Sequence, residues 1–510
     1  MTASPGVLTS LGAGFATAAT PENLAFGVLG VVLGTCVGVL PGLGPAVAIS
    51  LLLPLTFGLD PIAAFIMFGG IYYGAMYGGA TTAILVNTPG CSSSAVTTFD
   101  GHPLARKGRA GTALIAAIIG SFVGGTFATL MLMLLAPALV EMALLFGPPE
   151  YFALMLFALT MVASIGGRSL LKAIFATLLG IAIAMIGIDL QTGTPRMTFG
   201  IPELASGINV VLAGIGLFAV GEALWIASGG GAEADDVNAV GRRLWMTANE
   251  WRRATVAWTR GTVLGFFAGV LPGSGGTLAT FLAYGVEKRL SRTPGRFGEG
   301  AVEGVAAPEA ANNAAAGGSM VPLLALGIPG SATTAVMLVA FQIYGLQPGP
   351  LLFANSGDLV WGLIASLYIA NVLLVVLNLP LVGVWARLLS LPQGLLYAAV
   401  LVFSTLGAYS LKGSLGDVLI VYVLGALAFG LRRFGFPVAP VLLGVVLGPL
   451  IEQEFRRSLA LSGGDYGVFA ERPIAMGLLA LTALSVGAAA FASRKRRLLP
   501  NAPVGIVQTG

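Results

Sequence analysis

Charge is what this sequence lacks most: Asp, Glu, Lys and Arg make up 9% of 510 residues, against roughly 25% in a soluble domain. The 26 Lys+Arg and 22 Asp+Glu cannot keep so long a chain in water, so most of its exterior must face hydrocarbon, and an ordinary soluble enzyme is excluded. One histidine, His102, and two cysteines, Cys36 in an apolar run and Cys91 in a Gly/Ser-rich break, leave no set for a zinc site or a disulfide framework. H-E-x-x-H and the G-x-x-x-x-G-K-[ST] phosphate loop are both absent. Gly273-Ser274-Gly275 follows Pro272 and lacks the glycine two positions before serine that a rhomboid-like protease needs. With no nucleophile and base to pair, the expectation is a protein that is not an enzyme. No Lys or Arg precedes Arg106, so the basic start of a signal peptide is missing and the first apolar run is expected to be mature protein. The net charge of +4 does not point to nucleic acid. The basic residues fall in short clusters between apolar runs, as the positive-inside rule explains.

What is abundant is apolar sequence, 56% of the chain, interrupted by 73 glycines and 28 prolines. The runs are long and uniform rather than alternating, which selects helices over a closed barrel. Residues 24–57 read as two short helices around Pro41-Gly42-Leu43-Gly44-Pro45. A run from Pro61 ends in Asn87-Thr88-Pro89-Gly90-Cys91-Ser92-Ser93-Ser94, followed by a hydrophilic loop with Asp100, His102, Arg106, Lys107 and Arg109. Further spans are expected near 112–140, 150–166, 170–188, 207–227, 358–379, 393–409, 415–431, 437–450 and 474–492. Asp60 and Asp189 read as interfacial caps. The organisation expected is a first membrane half over 1–228, a charged cytoplasmic linker over 229–260, a second membrane half over 261–493 and a basic tail over 494–510.

The second half repeats the first. Gly269-Val270-Leu271-Pro272-Gly273-Ser274-Gly275 echoes Gly38-Val39-Leu40-Pro41-Gly42-Leu43-Gly44, and Gly317-Gly318 leading to Pro329-Gly330-Ser331 echoes Gly78-Gly79 leading to Pro89-Gly90-Cys91. The charges around the two copies are opposite. No Lys or Arg lies before the first copy or in its joint at 58–62, and three follow it. The second copy is preceded by Arg242, Arg243, Arg252, Arg253 and Arg260, carries Lys288, Arg289, Arg292 and Arg296 in its joint, and has none in the loop 345–357. The copies are therefore expected to enter the membrane from opposite sides. The fold class is an all-α polytopic membrane protein with two inverted repeats of Gly/Pro-broken helices or re-entrant hairpins, in roughly 11–12 spans.

A break inside a membrane helix frees N–H and C=O groups that hydrocarbon cannot satisfy, so it survives only buried in protein or lining a wet cavity. Restarting helices offer N–H groups to a carboxylate, and ending half-helices offer carbonyls to a hard cation such as Na⁺. Candidate substrate-binding residues are Pro41, Gly42, Gly44, Asn87, Thr88, Pro89, Gly90, Ser92 and Ser93 in the first half. In the second they are Pro272, Gly273, Ser274, Gly275, Pro329, Gly330, Ser331 and Thr333. None of these passages holds Arg or Lys, so an anion would be held by amides and hydroxyls. Candidate cation ligands are Asn87, Gly327 and the face Glu309, Asn312, Asn313 at i, i+3, i+4. Each cluster taken singly also fits close helix packing, kinking or capping.

Gly38-Val-Leu-Pro-Gly-Leu-Gly-Pro45, Tyr72-Tyr-Gly-Ala-Met-Tyr-Gly-Gly-Ala80, Asn87-Thr-Pro-Gly90, Phe99-Asp-Gly-His-Pro-Leu-Ala105, Pro308-Glu-Ala-Ala-Asn-Asn313, Leu326-Gly-Ile-Pro-Gly-Ser331, Gly345-Leu-Gln-Pro-Gly-Pro350 and Gly448-Pro-Leu-Ile-Glu452 resemble the large membrane subunit of tripartite tricarboxylate transporters, the TctA family. His102 departs from the aromatic residue common at its place. The resemblance implies a secondary transporter of the bacterial inner membrane, with its N-terminus periplasmic and its C-terminus cytoplasmic on the charge reading above. It further implies a small four-helix membrane subunit, a periplasmic solute-binding protein that delivers a carboxylate such as citrate, and a driving Na⁺ gradient. Relatedness to elevator-type transporters is implied as well. The competing reading from the residues alone is a passive anion channel or pore, with the broken half-helices as its filter.

Single cysteines at Ile62 and Leu290, in a background without Cys36 and Cys91, should react with an impermeant thiol reagent from opposite sides of the membrane. Reaction of both from one side would eliminate the inverted topology.

Overall fold

The computed structural model describes residues 6–40, 43–165, 169–189, 191–230, 245–273, 275–388 and 393–498. Several of its helices start where a side chain supplies an acceptor for the free N–H groups of a first turn. Val7–Ala18 (α1) leads to Thr20, whose hydroxyl accepts from Asn23 N at 3.4 Å and with Pro21 opens Pro21–Val39 (α2). Pro45–Leu52 (α3) follows, and the Asp60 carboxylate, accepting from Ile62 N at 3.0 Å, caps Pro61–Val86 (α4). Thr98–Leu104 (α5) and Ala110–Ala143 (α6) close the first repeat. The middle of the chain forms Pro148–Ile165 (α7) and Leu170–Ala184 (α8), then a hairpin of Gly187–Ile188 (β1) antiparallel to Pro195–Arg196 (β2), then Pro202–Ala205 (α9). Val210–Gly214 (α10) runs through a π-helical stretch into Gly221–Trp225 (α11).

A capping box between Thr247 and Glu250 starts Ala248–Val270 (α12). Gly275–Leu290 (α13), Glu303–Leu326 (α14), Ala332–Ile343 (α15), Pro350–Asn355 (α16) and Gly357–Leu388 (α17) complete the second repeat. Gln393–Lys412 (α18), Leu415–Arg433 (α19), Ala439–Leu461 (α20), Val468–Glu471 (α21) and Pro473–Leu498 (α22) end the described chain. Among the described residues, six helices or continuous helical stretches are long and apolar enough to cross a membrane, with shorter apolar helices beside them. The all-α polytopic class read from the sequence is the one observed.

Three segments differ from expectation. The hydrophilic loop after the first repeat is helical, through α5 and a π-helical turn at Ala105–Arg109, and buries Asp100 and His102. Asp100 is consumed by partners described below, and the His102 Nδ1 donates to the Ile84 carbonyl at 3.3 Å, so neither polar side chain needs water. Residues 248–260 of the expected linker form the first half of α12, whose apolar face packs on α14; residues 231–244 of it lie outside the described residues. Arg494-Lys495-Arg496-Arg497 continue α22 rather than starting a tail, and 499–510 lie outside the described residues.

The chain divides into two compact units, each drawing on both sequence halves: Met1–Glu141 with Glu233–Ala399, and Met142–Ala232 with Val400–Gly510. In the second, α8 crosses α20 where Gly180 meets the Val441 carbonyl and Gly444 meets that of Thr177. The hairpin is pinned to α20 by charge: Arg456 lies 3.0 Å from Asp189, Arg196 2.8 Å and Arg456 2.6 Å from Glu452. Asp189 is thus the acceptor of a turn and an ion pair rather than a helix cap. The Gln191 N–H first, and then Arg456, hold its carboxyl down at about 2, so the network stays charged at neutral pH.

The first unit holds both repeats, and glycine governs how each one packs. A Cβ at Gly30, Gly34 or Gly38 of α2 would stand 2.3, 2.4 and 2.3 Å from the carbonyl oxygens of Met67, Ile71 and Ala75 on α4. At Gly261, Gly265 and Gly269 of α12 it would stand 2.2, 2.3 and 2.3 Å from those of Ala307, Ala311 and Ala315 on α14. The two ladders superimpose with the sequence repeat, 231 residues apart on the first helix (Gly38 to Gly269) and 240 on the second (Ala75 to Ala315). Side chains at i, i+4, i+8 share one helix face, and only glycine there lets two backbones touch along its length.

Gly265→Ala should lower stability by roughly 1–3 kcal/mol through overpacking against Ala311. Gly285→Ala on the open face of α13, where a Cβ meets nothing within 4 Å, should leave it unharmed. Thermal unfolding of the two purified variants in detergent checks the contrast.

Candidate functional site

Each repeat is broken twice, in the same way. The first break follows Leu40 (φ −83°, ψ 120°) and Leu271 (φ −73°, ψ 124°), which turn the chain extended after α2 and α12. The second begins with a left-handed residue, Asn87 (φ 56°) after α4 and Gly327 (φ 71°) after α14. Asparagine is the residue after glycine that tolerates this conformation. That accounts for Asn87, which is exposed, and matches it to Gly327.

The glycine ladders bring the breaks together. Gly90 and Gly330 sit on the carbonyls of Gly38 and Gly269, the last rungs, where a Cβ would lie 1.9 and 3.1 Å from the oxygen. Gly273 N donates to Gly330 O at 2.9 Å, and Gly44 lies over the Cys91 side chain. Across the repeats, the Ser92 and Thr277 hydroxyls are 2.9 Å apart, α3 packs on α15, and α13 packs on the 3-10 turn Ser92–Thr97. The helix restarting in each repeat thus lies against the second break of the other. Of the residues expected to bind substrate, Gly44, Gly90, Ser92, Ser93, Gly273, Gly330 and Ser331 meet in this region, with Thr88, Pro89, Pro272, Gly275, Pro329 and Thr333 in the same four breaks. Pro41, Gly42 and Ser274 lie outside the described residues.

The two long middle helices send different side chains into these breaks from equivalent positions. Tyr72 of α4 places its hydroxyl 3.1 Å from both Ser319 and Ser331, and Ser331 and Thr334 cap α15 reciprocally. Asn312 of α14, 240 residues on, donates from Nδ2 to Met76 O at 3.1 Å and sets Oδ1 against Gly276. The first arrangement is closed among its own hydroxyls. The second is not: Asn312 Oδ1, both polar atoms of Asn313 and Glu309 Oε2 are fully buried without a hydrogen-bond partner, while the Thr97 hydroxyl donates to Glu309 Oε1. Glu309, Asn312 and Asn313 thus share one helix, with three buried oxygens and the Asn313 amide N–H left unpartnered.

Charge accounting isolates Glu309 further. Glu250 pairs with Arg109 at 2.6 Å, Glu303 with Arg253 at 3.0 Å and Glu287 with Arg260 at 3.2 Å. Asp100 accepts from the backbone N–H groups of Gly298, Gly300 and Ala301 at 2.7–2.9 Å and from the Tyr284 hydroxyl at 3.0 Å. Glu309 has no cationic partner among the described residues. Thr97, Tyr72 and the Asp100 clamp were not singled out in the sequence, because their partners are 184 to 259 residues away. The ladders were visible in it as two runs of glycine at every fourth position.

Paired breaks of membrane helices that converge on a buried polar site are the arrangement in which secondary transporters bind their ligands. Comparison with known proteins gives the family: residues 24–443 match the model of the Tripartite tricarboxylate transporter TctA family, and the chain belongs to that family. Membership makes it a multi-pass membrane subunit of a transporter that works with other subunits and a binding protein. A protein of Agrobacterium vitis described as "Uncharacterized 52.8 kDa protein in TAR-I ttuC' 3'region" is 48% identical over 477 residues, covering 93% of this chain and 94% of its own. A second from the same organism, "Uncharacterized protein in TAR-II ttuC' 3'region", is 49% identical over 217 residues, 42% of this chain and 90% of its own. No solved structure matches the chain.

Asp100→Ala leaves three amides and a phenol without their acceptor. It should cost on the order of 2–4 kcal/mol, since hydrogen bonds to charged groups are individually strong. Hydrogen exchange should accelerate at Gly298, Gly300 and Ala301 before it does elsewhere in the first unit.

Proposed function

We propose that this chain is the permease of a binding-protein-dependent secondary transporter that imports tricarboxylates or related carboxylates on a cation gradient, with Na⁺ as the coupling ion. The observation that carries the reading is the face of α14, where one carboxylate and two amide side chains are buried with acceptor oxygens unspent. A buried carboxylate without a partner is costly. A single monovalent hard cation would neutralise it and use the neutral amide oxygens as further ligands. The set is too poor in charge for a divalent ion, and no group of three or more His, Cys, Asp or Glu gathers anywhere among the described residues. Glu309, Asn312 and Asn313 are the side chains assigned to the cation, with Asn87 and Gly327 lending the backbone of their breaks.

The carboxylate substrate lies at the neighbouring breaks. Serine and threonine hydroxyls and the amides of the restarting helices, at Gly44, Ser92, Ser93, Gly275, Ser331 and Thr333, are donors for it. No Lys or Arg occurs in these passages, so the cation supplies the positive charge and the two ligands bind cooperatively by neutralising one another. A periplasmic solute-binding protein delivers the substrate, and a small four-helix membrane subunit completes the complex in the bacterial inner membrane. The N-terminus is periplasmic and the C-terminus cytoplasmic, in keeping with the basic loops.

The test is uptake of labelled citrate and a panel of dicarboxylates into proteoliposomes holding this chain, its small subunit and its binding protein. Accumulation should require both the binding protein and an inward Na⁺ gradient, and Glu309→Gln should abolish the Na⁺ dependence. Equilibration without concentration, indifferent to every imposed ion gradient, would instead establish a passive pore.

A further inference from the structure

The seam between α6 and α17 carries a second set of buried polar groups, outside the breaks. Asn371 and Asn378 lie seven residues apart on one face of α17, both fully buried. Each turns its amide N–H back onto its own helix, to Leu367 O at 3.1 Å and Leu374 O at 2.9 Å, and each leaves Oδ1 without a partner. On α6 the buried Ser121 hydroxyl is likewise unpartnered. Asparagine buried in a membrane helix ordinarily bonds across to a neighbouring helix and holds it. These two hold nothing across the seam. Unpaired buried acceptors cost about 1–3 kcal/mol each, and the usual remedy in a protein interior is ordered water making about three hydrogen bonds.

The seam is continuous with the buried acceptor face. Gly124 of α6 sits on the carbonyl of Ala310, next to Glu309, and Gly125 sits against Asn371 Oδ1, where a Cβ would be 2.2 Å away. Tyr73, whose hydroxyl lies over Gly317 one turn beyond Asn313, joins Thr129 at 3.2 Å, and Thr129 returns to Gly125 O at 2.8 Å. From that point Ser121 continues along α6 toward the end that carries Arg106, Lys107 and Arg109, and Asn378 follows Leu374 of α17, which packs in one apolar cluster with Ile115 and Ile118 of α6. Ser121 lies roughly 16 Å of helix from that end.

We propose that the α6–α17 seam is a file of ordered water that connects the Glu309 face to the side of the basic loops and is the path by which the coupling cation is hydrated and released. Asn371, Ser121 and Asn378 are its lining. The assignment of the path to the cation rests on the coupled-transport reading; the presence of water does not.

Pulsed X-ray radiolysis of the intact protein tests the water directly, because hydroxyl radicals form where water is and mark the nearest side chains. Leu374 and Ile118, as buried as any residue of the core, should be marked about tenfold more than the equally buried Ile84 and Leu363 if water is ordered beside them. Equal and negligible marking at all four positions would overturn the proposal. Asn378→Leu should erase the mark at Leu374 and slow Na⁺-driven uptake about tenfold at unchanged substrate KM, with the thermal midpoint retained. Marking without any change of uptake in Asn378→Leu would overturn the path. Wild-type uptake indifferent to Na⁺ would instead defeat the coupled-transport reading and leave the radiolysis result standing.

Discussion

A backbone group released at a helix break cannot be left in hydrocarbon, and the architecture of the first unit follows from meeting that constraint four times in one place. The breaks are not individually stable features that happen to lie close. Gly90 rests on the carbonyl that α2 presents at Gly38, Gly330 on the one that α12 presents at Gly269, and Gly273 donates to Gly330. Each break is held by another, and the glycine ladders set the distance at which this works. Widening one helix pair by a methyl group would displace a break along with a helix.

The repeat builds the breaks, and departures from the repeat set the polar groups around them. Equivalent positions on α4 and α14 hold Tyr72 and Asn312, Tyr73 and Asn313, Gly69 and Glu309. On α4 the Tyr72 hydroxyl meets Ser319 and Ser331 and that of Tyr73 meets Thr129; on α14 the Asn312 and Asn313 Oδ1 atoms and Glu309 Oε2 have no hydrogen-bond partner among the described residues. A repeated scaffold thereby carries an unequal distribution of polar groups. Four other buried acids of the unit have partners: Glu250, Glu303 and Glu287 pair with Arg109, Arg253 and Arg260, and Asp100 sits in its amide nest.

Asp100 shows how a motif can be legible and its purpose not. Its place in Phe99-Asp-Gly-His-Pro-Leu-Ala105, between an apolar run and three basic residues, reads as solvent-facing loop. In the structure it is buried on α5 and clamps the entrance to α14, with Gly304 leaving room for the carboxylate. The C-terminal part of the expected linker is helical for a related reason. Arg252, Arg253 and Arg260 lower the hydropathy of 248–260, yet Arg253 and Arg260 are spent on Glu303 and Glu287, so the segment is a helix of the second repeat.

Composition and repetition by themselves determined the environment, the helical class, the two copies, their breaks and the residues of the acceptor face, because the cost of polar groups in hydrocarbon acts on local sequence. Hydropathy and Gly/Pro spacing record that cost directly. Only the tertiary structure decided that all four breaks converge, that Asn87 serves as a left-handed cap, that Glu309 is buried with no cationic partner among the described residues, and that the compact units interleave the two halves. Those outcomes depend on contacts between residues hundreds of positions apart, and the pairing of a donor with an acceptor leaves no local trace in either one's surroundings.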